Sequence, residues 1–593
     1  MKKRSEMNPE FTWDLSHIFE TREEWEAAYS QADALIDAIS PLAGTLGDSA
    51  DALLNACEKM VAANQAVEKV YIYASLYKST DNGDAEFQTM EARCVSQIMK
   101  LSSACAFFTP ELLAIDEAKL NGFMADPRLE IYRHMIEDAC RGRAHTLDAE
   151  REKMLAMLTD VCQTPRNAFD MLSDVEMEYP DIIGENGERL PLTSGNFNAY
   201  RESPVRSIRE QAFNNYFGVY KKHINTCAAL YGGSVKMDAY QAGVRGYGSV
   251  VEEKLFANNV PVSVYDSLIE AIHASLPCMR KYIELRKKAL KLDKIDMFDL
   301  YTPMIPDVDF SMPYEEGKKL VREAVRPLGE EYQRLIDRAY SEGWIDVYEN
   351  AGKSSGAFEC GMYGVHPYVL LNYTDTLDDA FTLGHELGHA MHSWYSDEAQ
   401  PYVNHDYCIT VAEVASTVNE VLIAMHLLKT ETDKKRRAFV LNHLLESFRT
   451  TVFRQSLFAE FERKAHDMYA EGTPLTAQSL CAVYKELCQQ YYAGCDVPDI
   501  IENEWAYVPH FYGAYYVYQY ATGFCSAVAI ARNILETGDA SGYLKFLSMG
   551  GSDYPIEELK AAGVDLTKPD TVLNAMKLFD SYIDELAEII DNM

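Results

Sequence analysis

The sequence contains no run of about twenty apolar residues, so no membrane-spanning helix is expected. It is also short of basic residues: 55 Lys and Arg stand against 91 Asp and Glu, a formal charge of −36 and a pI near 4.8. That balance argues against nucleic acid or an anionic membrane surface as partner. Paired Cys-x-x-Cys spacing is missing as well. The 13 cysteines, Cys94, Cys105, Cys140 and Cys488 among them, are odd in number and scattered, which reads as reduced core thiols in a cytoplasmic protein. The start, Met1 to Pro9, is basic but leads into Glu10, Asp14 and Glu20 without the apolar stretch of a signal peptide. No internal repeat and no low-complexity linker appear, so 593 residues should form a large core divided into two or more subdomains.

What is present is mostly helical periodicity. Thr21-Arg-Glu-Glu24 has the form of a capping box, after which Trp25, Ala28, Tyr29, Ala32, Leu35, Ile36 and Ile39 mark one buried face. Similar patterns predict helices over about 50–78, 84–107, 128–139 and 146–172. The pattern breaks at Val175 to Tyr179, where strand-like residues lead through Gly184-Glu-Asn-Gly187 into Arg189 to Leu192. This predicts a small hairpin and a boundary between an N-terminal helical domain, 1–195, and a catalytic domain, 196–593. Later helices are interrupted at Ala242 to Gly248 and at Tyr301 to Pro306. A second non-helical island, Gly356 to Tyr373, predicts a short sheet whose edge could pair with an extended peptide. In it, Gly361 and Gly364 serve either close approach of substrate or turns.

The most informative segment follows that island. Asp379 to Trp394 reads as a helix, N-capped by Asp378 or Asp379, and contains His385-Glu-Leu-Gly-His389. Residues four apart on a helix lie about 40° apart in projection and one turn apart along the axis. His385 and His389 can therefore address one metal ion while Glu386 holds a water that the ion also binds. The rest of the helix is apolar, so these polar groups need a common partner, and a metal provides one.

A catalytic zinc site needs a third protein ligand and an open position. His392, Asp397, Glu398, His405, Asp406 and Glu413 are the nearby choices. His392 lies about 10 Å from His385 along the same helix, and three ligands on one rod approach a line rather than tetrahedral corners. Glu413 is better placed, because Thr410 to Glu420 opens a second helix, and a crossing helix delivers a carboxylate from another direction. Glu420, seven residues on, could accept the free N–H of a ligating histidine.

Phe381 to His392, followed by Ala412 to Glu420, resembles oligoendopeptidase F, a branch of the thimet-type zinc oligopeptidases. The likeness extends to Thr12 to Leu15, Ser355 to Phe358, His366 to Tyr373, His510 to Gly523 and Gly550 to Asp565. It implies that His385, His389 and Glu413 bind one Zn2+. It also implies a mainly α, zincin-type helical clamshell around a deep channel, with the small sheet beside the metal helix. In related oligopeptidases a histidine and two tyrosines near this chain's residues 507–520 contact substrate and stabilise the tetrahedral intermediate. His510 matches the histidine. The tyrosine spacing is shorter than in the thimet branch, so Tyr515 and Tyr518 are chosen, with Tyr512 and Tyr516 as substitutes and His366 as a further residue facing substrate.

The expected reaction is hydrolysis of internal bonds in short peptides, with Glu386 as general base. Alternatives are a zinc peptidase acting on chain ends, which needs a charged anchor for a terminus, and a non-catalytic peptide clamp. A structural zinc protein would bring a fourth Cys or His ligand instead. The oligomeric state is left open by the sequence.

Overall fold

The computed structural model describes residues 2–305 and 310–593; Pro306, at the end of the expected Tyr301 interruption, lies outside them. The described chain is mainly helical, with a two-stranded and a three-stranded sheet and irregular connections. Local caps start the helices where the sequence signals them. Thr21 accepts the Glu24 backbone N–H at the head of Arg22–Asp37. The reciprocal bond shifts by one residue, since the Glu24 carboxylate accepts from Glu20 N–H at 2.9 Å rather than from Thr21. Ser49 and Asp84 cap Ala50–Thr80 and Ala85–Cys105 in the same manner.

The chain forms two compact units, each assembled from three segments. Unit 1 comprises Met1–Thr146, Phe310–His426 and Ile530–Gly563, and unit 2 comprises Leu147–Asp309, Leu427–Ala529 and Val564–Met593. Neither coincides with a 1–195 and 196–593 division. Helical periodicity reports which face a segment buries and carries no information on which distant segment covers it. The expected hairpin is present as Ile182–Ile183 paired antiparallel with Arg189–Leu190. Val175 and Glu176, read as the approach to a strand, still belong to a helical turn that runs from Met171 to Glu176.

In unit 1, Arg22–Asp37, Ala50–Thr80 and Ala85–Cys105 pack together around Trp25, whose indole N–H donates to Val70 O at 2.9 Å. Tyr368 and Leu370 of the three-stranded sheet join the same apolar cluster. That sheet has Tyr368–Leu370 at its centre, Ile345–Asp346 parallel on one side and Phe358–Cys360 antiparallel on the other. Val369 and Leu371 donate to the Ile345 side, at Trp344 O and Asp346 O. Alternation then turns the backbone N–H and C=O of Glu359 to the free edge.

Unit 2 is built on Arg206–Val244, Val262–Ala289, Arg454–Ala470, Ala477–Tyr491 and Asp570–Asp591. Two of its buried charges pair, Arg209 donating to Asp299 at 2.9 Å. Among the described residues one helix, Ile409–Thr430, most of it in unit 1, is by itself long and apolar enough to cross a membrane, although 78% of its apolar window is buried inside the protein. All 13 cysteines are free thiols.

Candidate metal centre

The helix bearing the histidines, Leu377–Ala399, begins two residues earlier than expected. Its cap is Thr376, which accepts from Asp379 N–H at 3.1 Å. Asp379 is the third helical residue and returns the bond to Thr376 N–H at 2.9 Å. Ala380, Leu383, Leu387, Ala390 and Met391 are fully buried around this motif helix.

The second helix, Ile409–Thr430, crosses it at the two glycines. A Cβ on Gly388 would meet Ser416 Cα at 2.6 Å and Ala415 O at 2.7 Å, and one on Gly384 would meet Ile423 Cδ1 at 2.2 Å. At Gly388, where the facing atoms are backbone, only glycine permits this approach, whereas at Gly384 the facing atom is the end of the Ile423 side chain. Asn419, fully buried, bridges the helices by donating to Gly384 O at 2.9 Å while accepting from the Tyr332 hydroxyl at 3.0 Å. Sequence reasoning passed over Asn419 and both glycines. The available signal was glycine inside a buried helix, which costs about 1 kcal/mol relative to alanine and so calls for a packing reason.

That crossing brings His385, His389 and Glu413 together, with one ligand atom from each within 4.8 Å of the others. Glu413 Oε2 lies 3.5 Å from His385 Nε2 and 3.7 Å from His389 Nε2. Ligands about 2.0–2.2 Å from a tetrahedral ion stand roughly 3.4 Å from one another, so the donor set suits zinc in both spacing and chemistry. His385 Nδ1 is bonded to Glu420 Oε1 at 2.5 Å, which leaves its Nε2 lone pair for a metal. Ser416 Oγ lies 3.2 Å from Glu413 Oε2.

Three carboxylates in one half-buried site need positive charge. Burial resists protonation of His385, yet the hydrogen bond and charge of Glu420, with Glu386 and Glu413, raise it to about 9. His389 is lowered to about 3 by burial and by the neighbouring His385. Burial pushes Glu386 up to about 7, and the charges of Glu413 and Glu420 add to the shift. A dication would take over the neutralising part that His385 otherwise plays.

The other ligand choices are placed elsewhere. His392 is buried and stacked on Tyr407, ring centroids 3.6 Å apart. His405 and Asp397 are bonded to each other at 2.8 Å, while Glu398 and Asp406 are exposed. His366 is a packing residue: Nδ1 is engaged by Pro367 O, Nε2 by His17, and its ring stacks on Trp344. Gly361 approaches the motif helix rather than a ligand, since a Cβ there would lie 2.8 Å from Ser393 Oγ. Gly364, at φ +79°, makes a turn.

His510, Tyr515 and Tyr518 belong to unit 2. His510 is exposed and forms an aromatic group with Tyr516, at 5.7 Å, and Tyr520, at 5.9 Å. Tyr515 and Tyr518 are instead buried, both against Tyr265 at 5.5 and 5.4 Å. Tyr515 also has φ +60°, unusual for a residue with a side chain, and its N–H donates to the buried Glu462 carboxylate at 2.9 Å. The tyrosines beside His510 are therefore Tyr516 and Tyr520, whereas the pair chosen by spacing lies in the core.

A helical protein with small sheets, two histidines one turn apart, an adjacent glutamate and a carboxylate from a crossing helix has the build of a metallopeptidase. Comparison with known proteins gives the family. The model of peptidase family M3 matches residues 199–578, and that of oligopeptidase F matches 111–179. The gap between the two matches contains the hairpin. Oligopeptidase PepF of Bacillus subtilis is 40% identical over 591 residues, covering 99% of this chain and 88% of that protein. An oligoendopeptidase F homolog of Lactococcus lactis is 40% identical over 598 residues, covering 100% and 99%. The crystal structure of oligoendopeptidase-F from Enterococcus faecium superposes with a TM-score of 0.74 at 35% identity, covering 96% of this chain and 99% of that one. The chain belongs to peptidase family M3, in its oligopeptidase F branch, and is a metalloendopeptidase.

Proposed function

We propose that this protein hydrolyses internal bonds of short peptides with a zinc ion held by His385, His389 and Glu413. The observation that carries the reading is the convergence of Glu413 on both histidines while Glu420 occupies the far nitrogen of His385. Bound there, zinc supplies Lewis acidity to the scissile carbonyl and to the attacking water. Glu386, beside the ligands and largely buried, takes the water proton and passes it to the leaving amine. Glu420 holds His385 in the tautomer and orientation that ligation needs.

The free edge at Glu359 offers one backbone N–H and one C=O to an extended peptide, which favours recognition of backbone over side chain. His510 and two tyrosine hydroxyls of the following segment donate to the oxyanion. Tyr515 and Tyr518 are the pair named by spacing, and Tyr516 and Tyr520 are their rivals by exposure. The motif helix is buried on nearly every side, so folded substrates should be excluded and flexible peptides admitted. Thirteen free thiols are consistent with a cytoplasmic setting.

The test is a mass-spectrometric digest of a mixed peptide library by the zinc-loaded and the chelator-treated enzyme. Internal cuts that vanish with the metal and return on adding zinc are expected. Release of single residues or dipeptides from chain ends alone would replace this reading with an exopeptidase. A companion measurement compares a short peptide with the same sequence in a surface loop of a stable domain, where equal rates would refute the size limit.

A further inference from the structure

Unit 2 contains a buried cationic cluster that the proposed reaction does not use. The ring of Tyr301 is surrounded by guanidinium groups, with the Cζ atoms of Arg201, Arg449 and Arg454 at 3.5, 4.2 and 6.0 Å from its centroid. Arg286 joins them through Glu446, which bonds Arg286 at 2.7 Å and Arg449 at 2.6 Å. Glu504 bonds Arg454 at 2.7 Å. Three of these four guanidiniums thus share two carboxylates, and among the described residues no carboxylate lies within ion-pair distance of Arg201. The neighbouring Asp296 and Asp299 are taken up by Arg206 and Arg209.

Hydrogen-bonding capacity is unbalanced in the same direction. Arg201 Nε, Arg286 Nε, Arg449 Nη1 and the hydroxyls of Tyr301 and Tyr492 are all buried without a partner among the described residues. The three guanidinium atoms can only donate, and both hydroxyls are able to. Arg286 and Arg449 are fully buried, so water outside the protein does not reach these donors. Buried polar atoms are paired in the great majority of cases, and a group of orphans asks for a missing partner. A water molecule would satisfy donors and leave the excess charge; an anion satisfies both. Burial alone would raise the Tyr301 phenol, but Arg454, Arg201 and Arg449 together pull it below its ordinary value, as expected beside uncompensated cations.

We propose that this cluster binds one small monovalent anion of chloride size at the Tyr301 hydroxyl, where it would take up the unpartnered donors of Arg201 and Arg449. Single N–H and O–H donors arriving from separate side chains suit a spherical ion better than a tetrahedral oxyanion, whose oxygens demand paired donors and more room. Arg454, on the rim of the cluster, also donates to the Tyr507 hydroxyl at 2.9 Å, three residues before His510.

Two measurements on the full, metal-loaded enzyme decide the matter. Thermal unfolding is followed in sodium chloride and in sodium gluconate at equal ionic strength, since an anion bound only by the folded state raises Tm with concentration. A saturable rise of about 2 °C or more in chloride alone is expected. Crystals soaked in sodium bromide should show an anomalous peak within hydrogen-bond distance of the Tyr301 hydroxyl. Tyr301→Phe, which removes one hydroxyl, and Arg201→Gln, which removes one charge, should each raise the half-saturating chloride concentration at least about fivefold. Identical curves in chloride and gluconate, an equal shift with sulfate, no bromide peak at Tyr301, or an unchanged response in both variants would each overturn the proposal. If either variant does not fold, the titration and the bromide map of the unaltered protein remain decisive.

Discussion

Gly388 and Ser416 meet backbone to backbone, so that a single added methyl at Gly388 would lie 2.6 Å from the Ser416 Cα. His389 follows the glycine directly, and Glu413 precedes the serine by one helical turn. The spacing of the proposed ligands is therefore set where their helices touch. Gly388→Ala should spread the crossing, costing about 1–3 kcal/mol of stability as overpacking does. Zinc affinity should fall at least about tenfold, as it does when a supporting contact is lost. Competitive chelator titration and thermal unfolding check the two effects, and unchanged affinity would show that the crossing does not govern ligand placement.

Glu386→Gln removes the proton acceptor and no ligand. It should keep zinc and fold while losing nearly all turnover. Metal analysis beside steady-state kinetics tests this, and a metal-replete variant with normal rates would remove Glu386 from the reaction.

The carboxylates of the crossing helix should separate by role. Glu413→Ala should lose metal outright, whereas Glu420→Ala should retain it with affinity lowered by about 10- to 100-fold through the freed His385 ring. His392→Ala, whose ring packs on Tyr407, should hold zinc as the parent does. Metal content of the three purified proteins gives the ranking, and the reverse order for Glu413 and His392 would overturn the ligand choice.

The tyrosines of the His510 segment form two pairs that phenylalanine substitution can tell apart. Loss of a hydroxyl that acts on the oxyanion should lower kcat by about 10² to 10³ with KM little changed. The measurement is kcat and KM for Tyr515→Phe and Tyr518→Phe beside Tyr516→Phe and Tyr520→Phe. If only the second pair responds, exposure is the better guide than spacing. If none does, the segment contributes no tyrosine to the chemistry.

The parts of this protein legible in its sequence are those decided over a few residues. His385 and His389 share a helix turn, Glu413 stands in an otherwise apolar stretch, and the capping oxygen of Thr21 lies three residues from the N–H it accepts. Thr376 was passed over as a cap because two aspartates follow it, each an equally good acceptor locally; the outcome depends on Asp379 turning back to Thr374 and Thr376. Non-local relations were not legible. Nothing within ten residues of His366 announces that His17 will occupy its Nε2, and the burial of Tyr515 depends on Tyr265 and Glu462. The bounds of the two units rest in the same way on which distant segments pack together.

The unit that holds the proposed metal ligands takes its third segment, Ile530–Gly563, from well beyond them in the chain. That segment is not peripheral to the site: the Tyr543 hydroxyl donates to Ala415 O at 3.3 Å, at the point where the crossing helix meets Gly388. During synthesis both ligand-bearing helices therefore exist before the piece that braces them. A chain still growing on the ribosome has both helices but not the finished scaffold, so the centre they form is braced only once Ile530–Gly563 has been made.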